Sequence, residues 1–441
     1  MPIKLINARQ IFDSCGVPTV EVDMVTELGL FRVGVPSTDL KKLHEAVPLR
    51  DNDPQLYQGQ GITKAITMIN SIIAPELIKM GFEVTQQRDI DNFLLTLDAT
   101  EDRSRLGANS ILVVSLVVAK AASAKKGTPL YRHISDLAEV KYIMLPVPHF
   151  TILVGGILSS NNLPFQEYLV LPVGAPSYTE AMRIGTEFYI YVKNLIEGKF
   201  GIERTYVADN GGFTAPFEDH KEAMIFLNTA IRQCALQGKL MIGLNAAASF
   251  FYKDGAYDIN FKNPNSNPQE YLSAEQLCEF YLDDMREFPL VSVEDPFDNE
   301  DWEAWSNITM RTTNQILASD LIQTNLQQVG LLLEKKAANS VTLRLSQCAT
   351  LTEMLDIFRT LVNNRLGVVV MDRLGDTDDT FIADMVVGLG ACQLKAGAPH
   401  HSERIGKYNQ ILRIEEELGP LAKYAGKNYR PGPEATQKKK K

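Results

Sequence analysis

Pro289-Leu-Val-Ser-Val-Glu-Asp-Pro-Phe297, followed by Trp302-Glu-Ala-Trp305, is a short apolar run with β-branched residues that stops at two acids and a proline. Such a run reads as a strand buried on both faces, and the proline cannot continue a ladder, so Glu294 is expected at a strand's C-terminal tip. Gln315-Ile-Leu-Ala-Ser319, Ser340-Val-Thr-Leu-Arg344, Gly367-Val-Val-Val-Met-Asp-Arg373 and Cys392-Gln-Leu-Lys395 repeat the pattern, each closing on a polar side chain. From Glu294 to Ser319 and from Ser319 to Arg344 the step is 25 residues, room for one strand and one helix. Parallel βα repeats with polar groups at the strand ends predict an α/β fold, a (β/α) barrel with its site on the C-terminal rim.

Upstream the grammar changes. Thr19-Val-Glu-Val-Asp-Met-Val25 alternates polar and apolar, and Leu30-Phe-Arg-Val-Gly-Val35 follows a Gly-containing turn, so residues 3–35 predict an antiparallel meander with one wet face. Helical spacing follows over Ile62–Met80, Thr85–Leu97 and Ala108–Lys126, which makes the N-terminal part, residues 1–140, an α+β domain. Prolines in Met144-Leu-Pro-Val-Pro148 punctuate the chain, and the barrel domain is expected over 141–433. Within it, Asp254-Gly255 between Phe250-Phe-Tyr252 and Ala256-Tyr-Asp-Ile259 is a hairpin signal. Residues 434–441, ending Gln437-Lys-Lys-Lys-Lys441, are too polar to pack and read as a solvated tail, or as an arm for an acidic protein partner.

Composition narrows the function classes. With 441 residues, 45% hydrophobic and 22% charged, the chain has the make-up of a two-domain globular protein. A net charge of −10 argues against a nucleic-acid partner. Cys15, Cys234, Cys278, Cys348 and Cys392 are scattered without CxxC spacing, which points to reduced thiols and a cytoplasmic location. Met1-Pro-Ile-Lys-Leu carries no signal-peptide core, and Ala108–Ala124, interrupted by Lys120, reads as a core helix rather than a membrane span.

Ser292-Val-Glu-Asp-Pro-Phe-Asp298, Phe261-Lys-Asn-Pro-Asn-Ser266, Asp379-Thr-Phe-Ile-Ala-Asp384, Ser402-Glu-Arg404 and Tyr408-Asn-Gln-Ile-Leu-Arg-Ile-Glu-Glu-Glu-Leu418 together resemble enolase (phosphopyruvate hydratase), closest to its animal forms, nearly end to end. The resemblance implies an enolase-type (β/α)8 barrel behind an α+β N-terminal domain. It also implies a glycolytic lyase that takes a proton α to the carboxylate of 2-phosphoglycerate and expels the 3-hydroxyl with Mg²⁺. Position by position, this chain departs from that pattern. The three family carboxylates for Mg²⁺ read Asn245, Glu294 and Ser319, so only Glu294 is retained. Asp320 is expected to face away, because successive strand residues point to opposite sides. A second Mg²⁺ takes a loop serine in the family; here Leu40 stands in its place. The family's lysine base reads Arg344, which cannot accept a proton. Of two acids, Glu167 remains after Gln166 and the other reads Asn210, while the two site histidines read Leu158 and Asp372 and the phosphate-binding serine reads Leu374. Arg373 and Lys395 survive.

Weak or absent Mg²⁺ binding is therefore expected, with the rim neutralising itself as Glu167, Glu294 and Asp372 face Arg344, Arg373 and Lys395. Three readings follow: a catalytically inactive enolase-like scaffold or structural subunit, a phosphopyruvate hydratase with residual activity, and a metal-free binder of a small phosphorylated anion. By resemblance the chain is a homodimer, with Arg9, Glu21, Glu403 and Arg413 matching the family's subunit contacts.

Overall fold

The computed structural model describes residues 1–37 and 45–430, so Leu40 and the lysine-rich tail lie outside the described residues. The chain opens with an antiparallel sheet of β1 (Leu5–Phe12), β2 (Pro18–Thr26) and β3 (Gly29–Gly34). Alternation places Val20, Val22 and Met24 of β2 against the helix Ala108–Lys126, whose residues are mostly buried. The other face is less wet than its polar residues suggest. Arg9 pairs with Glu21 at 2.5 Å and also with Asp23, and Arg32 pairs with Asp23 at 2.7 Å, so carboxylates opposite cations shield that side.

The expected helix over Ile62–Met80 is interrupted by one wide turn, Ile69–Ile73, between Thr63–Met68 and Ala74–Met80. Pro75 has no N–H to give the preceding turn, and the backbone widens there. Within the wide turn, Asn70 bonds both the N–H and the carbonyl of Ala8, fastening this helix to β1.

The barrel sheet runs through β4 (Val147–Pro148), β5 (Phe150–Val154), β6 (Glu167–Leu171), β7 (Met241–Asn245), β10 (Leu290–Glu294), β11 (Gln315–Ala318), β12 (Ser340–Arg344), β13 (Gly367–Met371) and β14 (Gln393–Lys395). Strands β8 (Tyr252–Lys253) and β9 (Ala256–Tyr257) form the hairpin around Asp254 and Gly255, both at positive φ as its tight turn requires. The spatial order β4-β14-β13-β12-β11-β10-β7-β6-β5 ends on two strands separated only by His149, so the sheet wraps into a nearly closed barrel.

One strand breaks the all-parallel expectation: β6 is antiparallel to both β5 and β7. The connection over residues 155–166 holds a single 3-10 turn, Gly156–Leu158, and no crossover helix, so the chain reverses instead of returning to the barrel's base. The reversal puts the first residue of β6, Glu167, on the rim beside the last residue of β7, Asn245.

The two parts share one continuous hydrophobic core, and the helix Phe381–Leu389 lies against the helix Leu130–Ala138. Their approach is close at Gly388, where a Cβ would strike the Tyr131 carbonyl and crowd Ile134. Gly388→Ala is therefore expected to destabilise the protein by about 1–3 kcal/mol, through overpacking of this contact. Unchanged denaturant and thermal midpoints for the variant would show that the contact yields without cost.

Candidate functional site

The rim is assembled from strand ends, and its centre is an ammonium group. Lys395, the last residue of β14, is 1% exposed, and its Nζ lies 2.5 Å from Glu167 Oε2 and 2.6 Å from Glu294 Oε2. Glu167 also accepts bonds from Asn245 Nδ2 (2.9 Å), Asn210 Nδ2 (2.9 Å) and Thr151 Oγ1 (3.1 Å). Burial by itself would raise the Glu167 carboxyl, but the Lys395 charge and these donors outweigh it and hold the group down at about 2. Lys395 is pushed up for the complementary reason: burial disfavours its charge, and the two carboxylates more than offset that.

The remaining charges pair differently from the sequence expectation. Asp320 faces into the cleft, where its Oδ1 lies 3.0 Å from Arg344 Nη1. Strand β11 ends at Ala318, so the alternation that would have turned Asp320 away does not extend that far. The backbone there is held by Asp295, which accepts the N–H groups of Ser319 (2.9 Å) and Asp320 (3.1 Å). Burial, reinforced by Asp320 and Glu294, pushes the Asp295 carboxyl up to about 7. Arg373 pairs with Glu45 of the N-terminal part at 3.3 Å, and Asp372 with Arg404 at 2.5 Å. Arg404 also donates to the carbonyls of Asp209 (3.1 Å) and Leu374 (3.0 Å). The six charges expected to neutralise one another are thus joined by Asp320, Glu45 and Arg404. Arg404 stood in the quoted Ser402-Glu-Arg404 motif without a partner; no local signal in the sequence pointed to Glu45.

A cleft of about 210 Å³ opens over these groups and brings together Gln166, Glu167, Asn210, Arg344, Asp372 and Arg373. Leu158 and Leu374 also border it, giving the mouth apolar surface. The loop carrying Leu158 is tied down by Lys262 of the Phe261–Ser266 motif, whose Nζ donates to the carbonyls of Ser159 (2.9 Å) and Asn161 (2.7 Å). Burial lowers Lys262 to about 8.

Asn245, Glu294 and Ser319 form a poor cradle for Mg²⁺. Glu294 is already paired with Lys395, and the Ser319 hydroxyl accepts a bond from Thr342 at 2.9 Å. Asn245 Oδ1 and Glu294 Oε1 are buried acceptors with no partner among the described residues. One neutralised carboxylate, one amide and one hydroxyl do not meet the demand of Mg²⁺ for anionic oxygen in octahedral array.

A nearly closed barrel with an ion-paired rim, joined to a three-stranded α+β domain, defines the class of this protein, and the family comparisons agree with it. Residues 142–432 match the model for the enolase C-terminal TIM barrel domain, and residues 3–134 match that for the enolase N-terminal domain. The chain belongs to the enolase family, whose members generally use Mg²⁺.

The lowered Glu167 makes a pH prediction. A carboxylate held below its ordinary value of 4.5 contributes stability that is complete above that pH and disappears as pH falls toward about 2, on the order of 3 kcal/mol for a shift of this size. Glu167→Gln should flatten that part of the acid-unfolding curve. Parallel curves for the variant and the native protein would assign acid lability to other groups.

Proposed function

We propose that this chain is an enolase-fold protein without phosphopyruvate hydratase turnover, used as a scaffold or structural subunit. The observation that carries this reading is Arg344, at the position of the family's base, with its guanidinium paired to Asp320. A guanidinium remains charged in a protein, so it cannot take the proton α to a carboxylate, and loss of a general base alone lowers a rate about 10²–10⁴-fold. The poor Mg²⁺ cradle removes the charge that would steady the resulting carbanion. A hydratase assay on the purified protein with 2-phosphoglycerate and millimolar Mg²⁺ is expected to show no turnover; measurable Mg²⁺-dependent product formation would overturn the reading.

The same reading orders the repair. Asn245→Asp, Ser319→Asp, Arg344→Lys and Asn210→Glu together should restore Mg²⁺ binding by calorimetry while leaving turnover low, because Leu158 and Asp372 still stand where the family has histidines. Groups that act as a unit recover little when only some are replaced. Full activity from the four substitutions would show that the histidine positions are dispensable.

A second reading, a metal-free binder of a small phosphorylated anion, is favoured by Arg373. Both of its contacts to Glu45 are long, at 3.3 Å, so an incoming phosphate could compete for the fork. Homodimerisation is part of the proposal, although Arg9 and Glu21 are paired with each other and Arg413 bonds Gln410 within the chain. Sedimentation at micromolar concentration should give twice the mass of 49.1 kDa, and a monomer would count against it.

A further inference from the structure

We propose that Lys262 is a covalent capture site for small neutral aldehydes and ketones, and that capture unlatches the connection over 155–166 that carries Leu158. The amine belongs to a place other than the barrel cleft. Lys262 lines a separate cavity of about 740 Å³, whose apolar surface comes from Pro164, Ile259 and Phe280. Among the described residues no carboxylate pairs with it, whereas Lys221 on the same cavity pairs with Glu287. Its Nζ is held by neutral oxygens alone: the carbonyls of Ser159 (2.9 Å) and Asn161 (2.7 Å), and Asn161 Oδ1 at 3.5 Å. An ammonium gives three donors and a free amine two, so the bond surrendered on deprotonation is the longest, and the lone pair appears where Asn161 Oδ1 was bonded. Half-buried without a counter-charge, the group is lowered to about 8 and supplies free amine at neutral pH.

The cavity selects its reactant by charge. Glu218, Asp219, Asp283, Asp284 and Glu287 border it against Lys221 and Lys262, so phosphorylated and carboxylated reagents are repelled. A neutral carbonyl compound is not, and its product keeps the charge already present. The Nζ lone pair attacks the carbonyl carbon, a C–N bond forms, and the oxygen takes up two protons and leaves as water. Ammonium and carbonyl compound thus become a protonated imine and water, with no oxidant or reductant consumed. The protonated imine has one N–H where the ammonium had three, so the carbonyls of Ser159 and Asn161 can no longer both be bonded.

The test uses the full chain and needs neither 2-phosphoglycerate nor metal. The protein is exposed briefly to isobutyraldehyde and, separately, to glyoxylate, each with cyanoborohydride to fix the imine as a secondary amine, and labelled lysines are located by peptide mass mapping. At neutral pH isobutyraldehyde should label Lys262 about tenfold faster than exposed lysines, because far more of the amine is unprotonated than at the ordinary Lys value, and the rate should climb with pH and level off above about 8. Glyoxylate, which carries a carboxylate, should show no such preference. Lys262→Arg keeps a cation for the two carbonyls but forms no imine; it should melt like the native protein and lose the fast label. Mapping on the native protein locates the label by itself, which keeps the test decisive if the variant does not fold. Reduction leaves two N–H groups and an added alkyl group at the latch, so amide hydrogen exchange over 155–166 should rise in the labelled protein while the barrel strands keep their protection. Labelling of Lys262 no faster than of exposed lysines, an equal preference for Lys262 with glyoxylate, or unchanged exchange over 155–166 would each overturn the inference.

Discussion

Burying a charge is among the most unfavourable steps in folding, and the barrel rim buries several within a few ångströms of one another. The contact that makes this tolerable is the ammonium of Lys395 between Glu167 and Glu294, at 2.5 and 2.6 Å. Three strand ends depend on it directly, because β6, β10 and β14 each bring one charged group to the same point. Asn245 and Asn210 supply neutral donors that complete the shell around Glu167 without adding charge. Arg344 with Asp320 and Arg404 with Asp372 repeat the solution on either side.

This arrangement also explains how neutral and charged strand-end side chains coexist in one buried rim. The amide of Asn245 and the hydroxyl of Ser319 take part in this rim without adding negative charge. The guanidinium of Arg344 is a cation fixed in place by Asp320 rather than by solvent. At the strand ends five carboxylates, Glu45, Glu167, Glu294, Asp320 and Asp372, meet four cations, Arg344, Arg373, Lys395 and Arg404, and every one of them touches an opposite charge.

Most of the architecture was legible in the sequence, because strands buried on both faces appear as uninterrupted apolar runs whatever their neighbours are. The direction of β6 was not, since a strand's own residues do not record whether the chain crosses over or doubles back; that is set by the connection over 155–166. Asp320 was misjudged because a rule of alternation was carried two residues past the end of β11, into a turn governed by Asp295. Glu45 and Arg404 were overlooked as partners for another reason. Glu45 reaches Arg373 only through the docking of the N-terminal part on the barrel, and Arg404 reaches Asp372, 32 residues away, only through packing within the barrel; spacing along the chain contains no trace of either.

The bridge from Glu45 to Arg373 bears on how the molecule folds. Glu45 precedes the barrel by about a hundred residues, is 7% exposed, and is also bonded by Gln347 of the barrel at 2.6 Å. Arg373 of the rim thus gains its carboxylate only when the N-terminal part is seated. A barrel formed ahead of that docking would hold a guanidinium without its carboxylate, so the last stage of barrel ordering and the closing of the domain contact are one cooperative event rather than two.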